Sequence, residues 1–134
     1  MLQQKAAVAF ARWEACCSRL LPDASVVVRF AEGSFAHALS RIETHYFMNA
    51  GFFTHDGQLL TEAHKLAGIP TVIIQGRYDM VCPMETAWAL HRALPEAEFY
   101  VVDDAGHSAT ETGITHRLIE ATEKMKRLHV PAAR

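Results

Sequence analysis

Asp79 and His107 are the residues of this 134-residue chain whose types and spacing most directly permit catalysis. Asp79 stands in "IPTVIIQGRYDMVCP" (69–83), three residues after Gly76 closes an apolar run. His107 follows 28 positions later in "AGHSATETG". Taken singly, an aspartate before Pro83 reads as a helix cap or turn residue, and a Gly-His loop says little. Taken together, an acid after one strand and a histidine after the next can form a general base, with the carboxylate setting the imidazole tautomer. Gly106 is expected to let the backbone turn so that the imidazole faces the acid. The serines are Ser18, Ser25, Ser34, Ser40 and Ser108, and none lies in G-x-S-x-G. "EGSFAHA" around Ser34 lacks the second glycine, and Ser108 is adjacent to the histidine, so no nucleophile is expected in this chain. The eight histidines form neither HExxH nor a finger spacing with cysteine, which leaves a metal site or other cofactor without support.

The elements that must position this pair are legible from hydrophobic periodicity. Residues 71–75 and 98–104 read as β-branched strands, with a helix over 83–94 between them and a last helix over 114–128. Two strands joined by a helical crossover are expected to be parallel. Before them the texture is helical. Ala6, Ala9, Phe10, Trp13, Cys17 and Leu20 predict a helix over 2–20. Phe35, Leu39, Ile42 and Tyr46 predict a second, broken near Asn49-Ala50-Gly51. Leu59, Leu60, Ala63 and Leu66 predict a short third, between the Asp56-Gly57 turn and Gly68. "VVVRF" (26–30) is β-prone but isolated and stays undecided. The expected division is a helical segment over 1–55 and an α/β segment over 56–134. A parallel pair is normally buried within a wider sheet, so the pattern reads as the end of something larger.

Composition narrows the function. Half the residues are hydrophobic and 21% are charged, which is globular. A formal net charge of −2 offers no basic footprint for nucleic acid. No apolar run approaches a membrane span, and the N-terminus does not read as a signal peptide. Three cysteines without framework spacing suggest a reducing compartment, hence the cytoplasm.

An acid after one strand followed by a histidine after the next is the chain order of an α/β-hydrolase triad. Beyond that, "WEACCSRLLPD", "RIETHYFMNAGFF", "IPTVIIQGRYDMVCP" and "AGHSATE" resemble, in that order, the C-terminal part of proline iminopeptidases, serine peptidases that remove an N-terminal proline. The resemblance covers about residues 5–125. It implies an α/β-hydrolase C-terminal portion, two parallel strands with flanking helices, preceded by helical cap segments. It implies Asp79 and His107 as triad acid and base, with the serine on an N-terminal part outside this chain, so that the chain alone is inactive. Glu43 of "RIETHYF" and Glu14 of "WE" match cap glutamates that hold the charged imino group of the substrate; their bland reading is a solvated helix residue. Cys82 matches a thiol beside the active site, with a thiolate favoured at a helix N-terminus or, equally, a small buried hydrophobe. His37, His45, His64 and His91 are taken as ordinary helix residues, with His45 set apart only by its place in "RIETHYF". The chain departs from the family at Thr110, where an aromatic is usual, and at Ala50, where a glycine is usual. Two other readings compete: a non-catalytic module that self-associates or pairs with a separate N-terminal half through its sheet edge, and another α/β-hydrolase such as an esterase.

Overall fold

The structure, a computed structural model, describes residues 2–128; residues 129–134 of the expected second segment lie outside them. Helices α1 (Leu2–Cys17), α2 (Ala24–Phe30) and α3 (Gly33–Met48) come first. A 3-10 turn (Ala50–Phe52), the short helix α4 (Gln58–Thr61) and a second 3-10 turn (Ala63–Leu66) lead to strand β1 (Val72–Gly76). Helix α5 (Met84–Ala93), strand β2 (Glu98–Val102) and helix α6 (Thr112–Met125) complete the order. β1 and β2 pair in parallel, with Val72 opposite Glu98 and Gly76 opposite Val102. Both strands therefore end at the same edge of the sheet.

The undecided "VVVRF" is helical. Asp23 accepts from the Ser25 and Val26 backbone N–H groups, capping α2, and a good N-cap overrides a weak β preference in so short a run.

The faces of α1 and α3 differ from the expected stripes. Ala7, Ala11 and Ala15 are the buried residues of α1, facing Ala36 and Ser40 of α3, and the Ser40 hydroxyl donates to the Ala7 carbonyl at 3.2 Å. Small side chains let the two backbones approach closely. Trp13 stays 62% exposed, and Ile42 and Tyr46 are exposed too.

Around the sheet the core is thin. Ala63, Leu94 and Ala97 pack with Ile73 and Leu90 in one cluster, and Val102, Ala105 and Ile114 with Ile74 in another. Among the described residues no large side chain is fully buried.

Candidate active site

The pairing of β1 and β2 continues past their ends. Arg77 N donates to Val102 O at 2.9 Å and Tyr78 N to Ala105 O at 3.0 Å. These bonds run the loop after β1 alongside the loop after β2. Gly76 is essential to the approach, because a Cβ there would fall inside the Gly106 carbonyl oxygen and 2.8 Å from that of Ala105. The result is a hydrogen bond of 3.0 Å between His107 Nδ1 and Asp79 Oδ2.

Asp79 is 8% exposed, and each of its oxygens is engaged. Oδ1 accepts from Val81 N at 2.9 Å and Cys82 N at 2.7 Å. Oδ2 accepts from Gln75 Nε2 at 3.3 Å as well as from the imidazole. Gln75 also donates to the Cys82 carbonyl at 2.9 Å, bracing the loop from within β1. A buried carboxylate is tolerable when hydrogen-bonded in this way. Asp79 does not cap α5, whose N-cap is Pro83 and has no side-chain bond. An ionised carboxylate only accepts, so the proton of this bond sits on His107 Nδ1 and Nε2 is left as the acceptor. The His107 side chain is 36% exposed.

No serine serves this base among the described residues. Ser18 and Ser40 donate to the Ala15 and Ala7 carbonyls. Ser25 donates to Asp23 and Ser108 pairs with Thr110, while Ser34 is exposed on α3.

Glu14 on α1 and Glu43 on α3 come together in an open cavity of about 550 Å³. Phe10, Trp13, Phe47, Met80 and Val81 help line it. One oxygen of each carboxylate, Oε2, is buried and has no hydrogen-bond partner. Burial, and then the neighbouring Glu14 carboxyl, push Glu43 up to about 7. Val81 links the two halves of the site: it lines the cavity, and its N–H is held by Asp79.

Both expectations for Cys82 are corrected. The Cys82 thiol is raised rather than lowered, first by desolvation and then by the Asp79 carboxylate, and α5 begins only at Met84. Cys82 is also exposed, so it is not a buried hydrophobe. At Gly106, a glycine is needed because a Cβ would meet Leu20 N at 2.9 Å.

The remaining polar residues fall into place more simply. Thr110 accepts a bond from Arg19 Nη1 at 2.8 Å. His45 packs against Phe52, and His91 stacks on Phe99. No cluster able to hold a metal occurs among the described residues, and no helix among them is long and apolar enough to cross a membrane. Sequence reasoning missed Gln75 and Glu111. The only available signals were a polar residue inside an apolar strand and an acid just before a helix.

Parallel strands whose trailing loops join an acid to a histidine define a class, and comparison with known proteins agrees. The description of the alpha/beta hydrolase fold matches residues 2–114, and the chain belongs to that family. It is also similar to proteins named as proline iminopeptidases. It is 55% identical to a probable proline iminopeptidase of Leptolyngbya boryana over 92% of this chain and 38% of the relative. Identity is 49% to a proline iminopeptidase of Arabidopsis thaliana, over 95% and 33% respectively. A proline iminopeptidase of Xanthomonas citri is 46% identical over 88% and 38%. The chain thus spans between 33% and 38% of the length of these relatives.

Proposed function

We propose that this chain is the C-terminal part of a serine aminopeptidase that releases N-terminal proline from peptides. Residues 1–55 contribute to the cap and residues 56–134 to the hydrolase core. The observation that carries the reading is the placement of a Glu14–Glu43 pair, with one unpartnered oxygen on each, beside an Asp79–His107 pair, joined through Val81.

In this reading the substrate's secondary ammonium enters the cavity and is held by Glu43 and Glu14. A pair holding one proton carries a single negative charge, which matches one ammonium and leaves the two buried Oε2 atoms to accept its N–H groups. His107 Nε2 takes the proton of a serine supplied by a segment outside this chain, as that oxygen attacks the scissile carbonyl. It then returns the proton to the leaving amine, and takes one from the water that hydrolyses the prolyl ester, freeing proline and restoring the serine. Asp79 holds Nδ1–H throughout and stabilises the imidazolium. The chain alone lacks the nucleophile and does not turn over. Its three free cysteines suit a reducing compartment, and we place it in the cytoplasm.

The test joins this chain to the N-terminal portion of the Leptolyngbya boryana relative and assays release of proline from a proline amide. Turnover should be lost in His107→Ala and absent from the chain alone. Turnover by the chain alone that His107→Ala abolishes would mean that it holds a nucleophile. Acyl-blocked proline, which has no ammonium, should be a poor substrate. If it is cleaved as well as free proline, the glutamate pair does not read the amine and an esterase-like activity is the better description.

The open sheet favours a second reading. β1 and β2 pair only with each other among the described residues, and each outer edge is a template for another strand. Edge pairing, with a second copy or a separate N-terminal half, would make the chain a binding module. Light scattering separates the cases: a monodisperse monomer argues against self-association.

A further inference from the structure

Glu111 is buried, 8% exposed, and takes no part in the acid–base pair. Its Oε1 accepts from Gly106 N at 2.8 Å and its Oε2 from Leu20 N at 3.1 Å. Gly106 immediately precedes His107, and Leu20 lies just beyond α1, the helix that carries Glu14. An acid before a helix ordinarily bonds the helix's own first N–H groups. Glu111 makes no such bond to α6; both of its oxygens are spent on the seam between the base loop and the end of α1.

The rest of that seam is built the same way. Ser18 O accepts from His107 N at 3.1 Å and from Ser108 N at 2.7 Å. The Ser18 N–H in turn bonds Glu14 O at 2.9 Å. Asp79 restrains His107 at one atom, Nδ1, which leaves the ring free to pivot about that bond. The pivot is removed only if the backbone at 106–107 is fixed, and it is fixed from outside the sheet, by 18–20. Of these bonds, the two to Glu111 go to an ionisable acceptor, and charge-assisted bonds are the stronger kind.

We propose that Glu111 is a positioning residue for His107: its carboxylate ties Gly106 to Leu20 and so fixes the imidazole loop to the helix bearing Glu14. The inference rests on the reading of Asp79 and His107 as acid and base. It adds that the base is oriented from the substrate-holding helix, so that the cap and the catalytic loop move as one.

The experiment uses this chain with 15N-labelled histidine, reading the His107 tautomer from its imidazole nitrogen shifts. The wild type should hold the proton on Nδ1. In Glu111→Gln, whose amide can accept only at one atom, the proton should redistribute toward Nε2. Whichever of the Gly106 and Leu20 amides loses its acceptor should exchange about tenfold faster, the effect of losing one hydrogen bond to a charged group. Amides of β2 should keep their protection, which a general loss of stability would not allow. An unchanged tautomer with unchanged exchange at Gly106 and Leu20 overturns the proposal. A wild type without the Nδ1 proton overturns the acid–base reading itself and the proposal with it. Should Glu111→Gln not fold, wild-type exchange decides. Two amides held by one carboxylate should open together with equal protection, and clearly unequal protection at Gly106 and Leu20 overturns the clamp.

Discussion

Glu43 on α3 faces Glu14 on α1, and one oxygen of each is buried without a partner. Burial and the adjacent carboxyl push Glu43 up to about 7, because two like charges in a partly dry site cannot both persist cheaply. A raised carboxyl stabilises the folded state only while protonated. Its contribution is complete below the unfolded value of 4.5 and is lost as pH rises through about 7. Thermal unfolding of the chain should therefore show stability falling between those limits, by about 1 kcal/mol once solvent screening is allowed for. Glu43→Gln should remove most of that slope. A slope that survives the substitution assigns it to another group.

Asp79 separates stability from chemistry. Asp79→Ala leaves the Val81 and Cys82 N–H groups and the imidazole without their acceptor and takes one of several from the Gln75 amide. Urea unfolding should register a loss of about 2–4 kcal/mol. Asp79→Asn keeps an oxygen for the two backbone donors but can present an NH₂ to His107, which then reverses its tautomer. It should cost about 1 kcal/mol in stability. In the joined enzyme, turnover should fall by roughly 10⁴, as the corresponding change does in a serine protease. Equal losses of stability from both substitutions would mean that the loop bonds do not depend on that oxygen.

Gly76→Ala probes the approach of the two loops. Its Cβ would meet two backbone carbonyls rather than a flexible side chain, so neither neighbour can give without parting the loops. The expected cost is about 3 kcal/mol or more, read by urea unfolding, together with loss of the Nδ1-protonated tautomer of His107. A variant as stable as the wild type, with that tautomer intact, would refute the close approach.

The strands and their order were legible because β-branched runs bounded by Pro70, Gly76 and Pro95 leave few alternatives, and Asp79 and His107 follow from where those strands end. The glutamate pair was legible only through resemblance, since Glu14 and Glu43 meet across two helices and neither sequence neighbourhood announces the other. Glu111 was not legible at all, because its partners Gly106 and Leu20 lie in a tertiary seam. Cys82 went the wrong way for a related reason. A helix N-terminus favours a thiolate, but desolvation raises the thiol first and the Asp79 carboxylate, which disfavours a second negative charge, raises it further. Trp13, Ile42 and Tyr46 lie exposed rather than on the packed faces, since periodicity says which residues share a face and not which face meets its neighbour. The contact between α1 and α3 chose the small residues instead.

Ala50 stands in a backbone conformation with a measurable consequence. It has φ of 49°, and its neighbours Gly51 and Phe52 have φ of 63° and 62°. This left-handed run turns the chain out of α3, whose C-cap Asn49 donates to the His45 carbonyl at 2.7 Å. An L-residue with a Cβ is strained in this region by about 1–2 kcal/mol, whereas glycine is not. Against that relief stands the greater freedom that glycine gives the unfolded chain, about 0.4–1 kcal/mol. Relief is the larger effect, so Ala50→Gly should stabilise the chain by about 0.5–1 kcal/mol, seen as a higher urea midpoint with an unchanged slope. Gly51→Ala should do the opposite and cost more, since its Cβ would also come within 2.9 Å of the Phe53 ring. Destabilisation by Ala50→Gly would show that the turn holds Ala50 without strain.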